Sequence, residues 1–160
     1  MTEDRFEEIQ IGDEAEIFHT ITAQDVSSFV DLTGDTNPVH MGYRYAGKKR
    51  IVHGMLTASF ISTMIGTKLP GEGSLWYEQQ IRFLEPVGIG ERIRVWAKVK
   101  QKSSAQRVVV LDTVIFNEDG NRVVEGEAKV KVLQKPKGKA SSMGETEYGA
   151  IVVSGASRGI

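Results

Sequence analysis

The chain has 160 residues, 40% hydrophobic and 26% charged, with a formal net charge of −1; that length suits one domain with a real core and not two. The near-neutral balance, with no long basic block, excludes an electrostatic case for nucleic acid or an anionic membrane. Cysteine is absent, which excludes disulfides and thiolate chemistry. No apolar run approaches the roughly 20 residues of a membrane span, and the acidic start Met1-Thr2-Glu3-Asp4-Arg5 lacks a signal-peptide core, so a cytoplasmic protein is expected.

In chain order, residues 6–12 are a polar lead-in with Phe6, Ile9 and Ile11 as anchors. Residues 14–21 alternate Ala15, Ile17, His19 and Ile21 with Glu14, Glu16, Phe18 and Thr20, the period of a strand. Thr22-Ala23-Gln24-Asp25 has the form of a capping box with Asp in the place of Glu. Val26, Phe29, Val30 and Leu32 follow at helical spacing, and Gly34 stops that helix. The chain then runs Asp35-Thr36-Asn37-Pro38-Val39-His40, where Pro38 fixes its own φ and holds Asn37 extended. A carboxylate and an imidazole are thus carried on a turn with little freedom, as general acid–base chemistry on a water or substrate requires.

Residues 53–69 read as a second helix. Met55, Leu56, Ala58, Phe60, Ile61, Met64, Ile65 and Leu69 surround most of it, so burial nearly all round is predicted. Gly54 opens it, and its backbone N–H points outward from the positive helix end. Strands are predicted over 74–84, 91–102, 107–117 and 122–133, with Leu75, Tyr77, Gln79, Ile81 and Phe83 sharing one face of the first. Glu118-Asp119-Gly120-Asn121 reads as a hairpin turn. Consecutive hairpins with one polar face indicate an antiparallel sheet solvated on one side. The predicted fold class is α+β, an antiparallel curved sheet wrapped around a central buried helix, over residues 1–134. Residues 135–147 are linker-like in composition.

Gly34-Asp35-x-Asn37-Pro38-x-His40, followed by Ile51-Val52-His53-Gly54-Met55-Leu56-x-Ala58-Ser59, resembles the hydratase-2 motif of the MaoC-like (R)-specific enoyl-thioester hydratases and dehydratases, which are hot-dog-fold proteins. The resemblance covers roughly residues 5–134, with one departure: the segment 41–50 is several residues shorter than usual and rich in Lys and Arg. It implies a lyase that hydrates a trans-2-enoyl thioester, carried on CoA or acyl carrier protein, to the (R)-3-hydroxyacyl thioester. In that reading Asp35 and His40 activate the water, and the Gly54 N–H binds the thioester oxygen as it becomes enolate-like. Asn37 and Ser62 are supporting residues, no metal or cofactor is expected for this domain, and the family implies a homodimer. Residues 148–160, a short apolar strand running into Gly155-x-x-x-Gly159, look like the opening of a short-chain dehydrogenase/reductase. The expectation there is a two-domain protein cut just inside its reductase half, with NAD(P) belonging only to the missing domain.

Each residue also has a plainer reading. Asp35 and His40 could be an Asx-turn residue and a loop histidine, and Gly54 merely a helix-start glycine. Asn37 and His53 are read as structural. Ser59 and Ser62 are explained by packing alone, although Ser62 could also bond a dyad member. Lys48, Lys49 and Arg50 are a solvated loop or a contact for substrate phosphates, and Trp76 and Trp96 need no functional explanation. Two competing functions are a hot-dog thioesterase, disfavoured because 53–69 contains no Asp or Glu, and a non-catalytic acyl-binding or dimerisation module, disfavoured by the intact pair.

Overall fold

A computed structural model describes residues 4–42 and 50–136; Lys48, Lys49 and the reductase-like segment 148–160 lie outside the described residues. The chain enters through a short helix, α1 (Arg5–Glu8), capped by the Asp4 side chain on the Phe6 N–H. Phe6 and Ile9 are fully buried, but Ile11 is 65% exposed, a correction to its expected role as an anchor. It sits on the turn at Gly12, whose φ of 95° swings the chain outward before the first strand. Arg107 holds this entry closed with a two-pronged bond to Asp4, at 2.8 and 2.7 Å. That guanidinium keeps the Asp4 carboxyl below the usual carboxylate range.

Strand β1 (Glu14–Thr20) leads into α2 (Ala23–Thr33) through the predicted capping box. Thr22 Oγ1 accepts the Asp25 N–H at 3.1 Å, and the Asp25 carboxylate accepts the Thr22 N–H at 2.9 Å. The same carboxylate meets His19 Nε2 at 2.8 Å, tying the first turn of α2 to β1. Burial pushes the Asp25 carboxyl up, but the Thr22 N–H and His19 outweigh it and leave it below the usual range.

Helix α3 (Gly54–Thr67) is followed by β2 (Ser74–Phe83), β3 (Arg92–Ser103), β4 (Val108–Phe116) and β5 (Arg122–Val132). These strands and β1 form one antiparallel sheet in the order β1-β3-β4-β5-β2. Its inner face buries Ile93, Val95, Ala97 and Val99 of β3 with Leu111, Ile115, Ala128 and Val130 of the next two strands. Its outer face is a lattice of ion pairs, among them Glu16–Arg94 at 3.0 Å, Lys100–Glu127 at 3.0 Å and Lys129–Glu78 at 3.2 Å. One face apolar and one charged is how an antiparallel sheet stands between core and water.

Two features depart from expectation. Alternation in β2 breaks at a bulge between Trp76 and Glu78. Trp76 therefore packs on the core, while Leu75 and Tyr77 are about half exposed, at 50% and 53%. Helix α3 is not buried all round either. It sinks Leu56, Thr57, Ala58, Ile61, Met64 and Ile65 against the sheet, but Met55 is 60% exposed and Ser59, Ser62, Thr63 and Gly66 face outward. The five strands curve around one side of the helix only, and the side they leave open is the one with small side chains. Among the described residues no helix is long and apolar enough to cross a membrane.

Candidate active site

The site is assembled from the end of α2, the turn after it and the start of α3. Gly34 takes the left-handed conformation that ends α2, with φ 74°, and its N–H closes on Val30 O at 2.7 Å. The following turn is held by its own side chains. Asp35 Oδ1 accepts the Asn37 N–H at 3.2 Å, and Asn37 Oδ1 accepts the Val39 N–H at 3.2 Å. Pro38–His40 forms one 3-10 turn, closed by the His40 N–H on Asn37 O at 2.9 Å. Asn37 is thus the residue that shapes the segment between Asp35 and His40.

His40 is fixed from two further directions. Its Nδ1–H donates to Ile51 O at 2.6 Å, and Arg50 Nε donates to His40 O at 2.9 Å. Because a carbonyl can only accept, the proton sits on Nδ1 and Nε2 is left as the free acceptor. The Asp35 carboxylate is half exposed. One of its oxygens and one ring nitrogen each of His40 and His53 all lie within 4.8 Å of one another, and Oδ2 is 3.9 Å from His53 Nε2. A single water bonded to two groups at about 2.8 Å each spans about that gap.

His53, read from sequence as structural, stands inside this cluster. Its ring stacks on that of His40, centroids 3.7 Å apart and planes 25° from parallel, and it leans on Phe29 at 4.8 Å. It is 2% exposed, and its Nε2–H donates to the Asp35 carbonyl at 3.0 Å. Nothing in the local sequence signals this, because the contact joins residues 18 positions apart. The three side chains are close enough for a metal ion. However, His40 Nδ1 and His53 Nε2 are spent on carbonyls, and the lone pairs left lie in near-parallel planes that do not converge on one point.

Gly54 begins α3, and no side chain caps that helix. Among the described residues nothing accepts a hydrogen bond from its N–H, so the positive helix end opens onto solvent. The opening is the mouth of a cavity of about 300 Å³, lined by His40, Gly54, Thr57, Phe83, Val87 and Val124 among others. A side chain at Gly54 would intrude here: a Cβ would stand 2.9 Å from Phe83 Cε1. Two lining residues were not singled out from the sequence: Thr57 is an unspecified position of the motif, and Phe83 reads only as one face of its strand. Ser62 is exposed two turns further along α3, and no hydrogen bond joins it to Asp35, His40 or His53. Its expected support of the pair is not seen.

A sheet curved on one helix, with a carboxylate–imidazole pair beside the open helix N-terminus, defines a hot-dog domain equipped for acid–base chemistry on an apolar substrate. The MaoC like domain model matches residues 7–119, and the chain belongs to that family. Over 131 residues it is 39% identical to an (R)-specific enoyl-CoA hydratase of Rhodospirillum rubrum, covering 79% of this chain and 90% of the relative. It is 35% identical over 134 residues to a 3-hydroxybutyryl-CoA dehydratase of Methylorubrum extorquens, covering 81% and 85%. Among solved structures, the (R)-hydratase of Aeromonas caviae superposes with a TM-score of 0.74 at 33% identity, over 78% of this chain and 98% of that one. The unliganded R-hydratase PhaJ1 of Pseudomonas aeruginosa gives 0.75 at 33% identity, over 87% and 96%. The hot-dog fold expected from the sequence is the fold of this chain.

Proposed function

We propose that this protein is a hydro-lyase that reversibly adds water to a trans-2-enoyl thioester to give the (R)-3-hydroxyacyl thioester. The observation that carries the reading is the placement of Asp35 and His40 within one water's span, at the mouth of an apolar cavity that Gly54 opens. The names of the relatives, hydratase and dehydratase, point the same way.

In this mechanism a water rests between the Asp35 carboxylate and His40 Nε2. His40 takes a proton as the water oxygen bonds to the β-carbon, and the double-bond electrons move toward the thioester oxygen. The Gly54 N–H, reinforced by the helix end, stabilises the charge gathering there. The proton returned to the α-carbon completes the addition of one water and restores the carbonyl. Dehydration is the same path reversed. The pair supplies both proton carriers, so the reaction calls for no metal or cofactor. A nicotinamide enters only through the reductase reading of 148–160.

The same reading includes a homodimer. Strand β2 is an edge of the sheet, and it exposes Leu75, Tyr77 and Phe83 at 50 to 53%; on α3, Met55 is 60% exposed. A second copy pairing along that edge would cover those strand side chains.

The test is loss of the enoyl absorbance of crotonyl-CoA with free thiol followed in the same sample. Absorbance loss without thiol is the expected result. Thiol release matching the absorbance change would instead favour a thioesterase, against which α3 already counts because it holds no carboxylate.

A further inference from the structure

Two polar side chains of the cavity, Thr57 and Glu85, are left idle by the chemistry above; Glu85 is exposed, and Thr57 is the buried one. It is 2% exposed and lines the same space as His40 and Gly54. Helical hydroxyls ordinarily fold back onto a carbonyl of the preceding turn. Ser27, Thr33 and Thr67 do so, to Ala23 at 3.0 Å, Phe29 at 2.7 Å and Thr63 at 2.6 Å. Thr57 does not. Its backbone N–H closes on His53 O at 3.1 Å, but among the described residues its hydroxyl has no hydrogen-bond partner. Its oxygen is not one of the sealed unpaired polar atoms, which among the described residues are His53 Nδ1, Trp76 Nε1 and Gln79 Oε1; it is reached from the cavity, where a ligand can supply the missing partner.

Helix geometry says what that hydroxyl overlooks. Side chains on a helix lean toward its N-terminus and cover the residue three or four positions earlier. For Thr57 those residues are His53 and Gly54, and Gly54 has no side chain to fill the space. Phe83 closes the far side, as the 2.9 Å approach to a Cβ at Gly54 shows. The Thr57 hydroxyl and the Gly54 N–H therefore face one small volume.

We propose that Thr57 Oγ1–H is a second donor to the thioester oxygen, sharing with the Gly54 N–H the charge that gathers as water adds to the β-carbon. The proposal rests on the hydration reading and adds a residue to it. A packing role would need only the Thr57 methyl group, so the isosteric pair of variants separates the two.

The experiment compares wild type, T57V and T57S on crotonyl-CoA, with thermal unfolding of each. Losing one donor of an oxyanion site lowers kcat by about a hundredfold. T57V should show a loss of that order with KM little changed, and T57S, which restores the donor, should recover most of it. T57V should melt no lower than wild type, because the group removed has no partner in the free protein. The infrared carbonyl band of bound butyryl-CoA gives a readout independent of turnover. It should lie below that of free butyryl-CoA in wild type and move back toward it in T57V. A folded T57V with wild-type kcat and an unmoved carbonyl band overturns the proposal. Wild type that hydrates no enoyl thioester would overturn the hydration reading instead, and the carbonyl band would still decide the role of Thr57.

Discussion

Exchanging the Asp35 carboxylate for an amide keeps its size and removes its charge, while cutting His40 back to alanine removes the other proton carrier. General acid–base catalysis is worth about 10²–10⁴-fold, so D35N and H40A should each lose at least two orders of magnitude in hydration. The circular dichroism of both should stay that of wild type. D35N should also keep its melting temperature, while H40A, which loses the bond to Ile51 O and the stack on His53, should melt somewhat lower but remain folded at the assay temperature. Near-wild-type turnover by either variant would remove that residue from the mechanism. The turn that carries the pair was legible in the sequence because each of its restraints is local: Gly34 ends the helix, Asn37 caps, Pro38 fixes φ. His53 was not. Its bond to the Asp35 carbonyl and its stack under His40 arise only when the start of α3 docks against the end of α2. Thr57 escaped for a related reason, since an unspent hydroxyl looks the same in sequence as one folded back on its own helix.

Helix α2 delivers Asp35, and the capping box at its start is shared with His19 of β1. T22A should cost about 1 kcal/mol, the ordinary worth of such a cap, read as a lower midpoint in urea with an unchanged slope. In β5, a Cβ at Gly126 would collide with the Gln80 carbonyl oxygen of the neighbouring strand. That contact is backbone and cannot swing aside, so G126A should destabilise by about 1–3 kcal/mol, the range of overpacked sites. An unchanged melting temperature would mean that β2 and β5 can part there without loss. Strands β3 and β5 were legible because their alternation is clean. Strand β2 was misjudged because its bulge flips the pattern after Trp76, and a period-two reading has no means of seeing an inserted residue. Helix α3 was judged by its apolar residues, whereas its small residues are what mark the open face.

At the scale of the whole molecule, the homodimer proposed above predicts that light scattering at micromolar concentration should give twice the mass of the chain. A monomer there would contradict the edge pairing. Stability should also depend on acid in a defined window. Arg107 holds the Asp4 carboxyl below its ordinary value, and Asp25 is likewise lowered. Groups lowered on folding contribute stability above their unfolded pKa, about 3.9 for Asp, and lose it as pH falls through the folded value. The melting temperature should therefore be flat with respect to these groups from pH 7 to about 5 and fall below about 4. R107M should be less stable at neutral pH and flatter in acid. An R107M curve parallel to wild type would mean that the Asp4–Arg107 pair does not fasten the entry segment to the sheet.

The stereochemistry of hydration tests the central claim most directly. His40 lines the cavity and the Asp35 carboxylate lies within 4.8 Å of its ring, so in the proposed mechanism the water they hold meets a single face of the enoyl plane. Crotonyl-CoA incubated with the protein and analysed on a chiral support should give (R)-3-hydroxybutyryl-CoA as the predominant product. A predominantly (S) product, or no hydration at all, would contradict the assignment of this site.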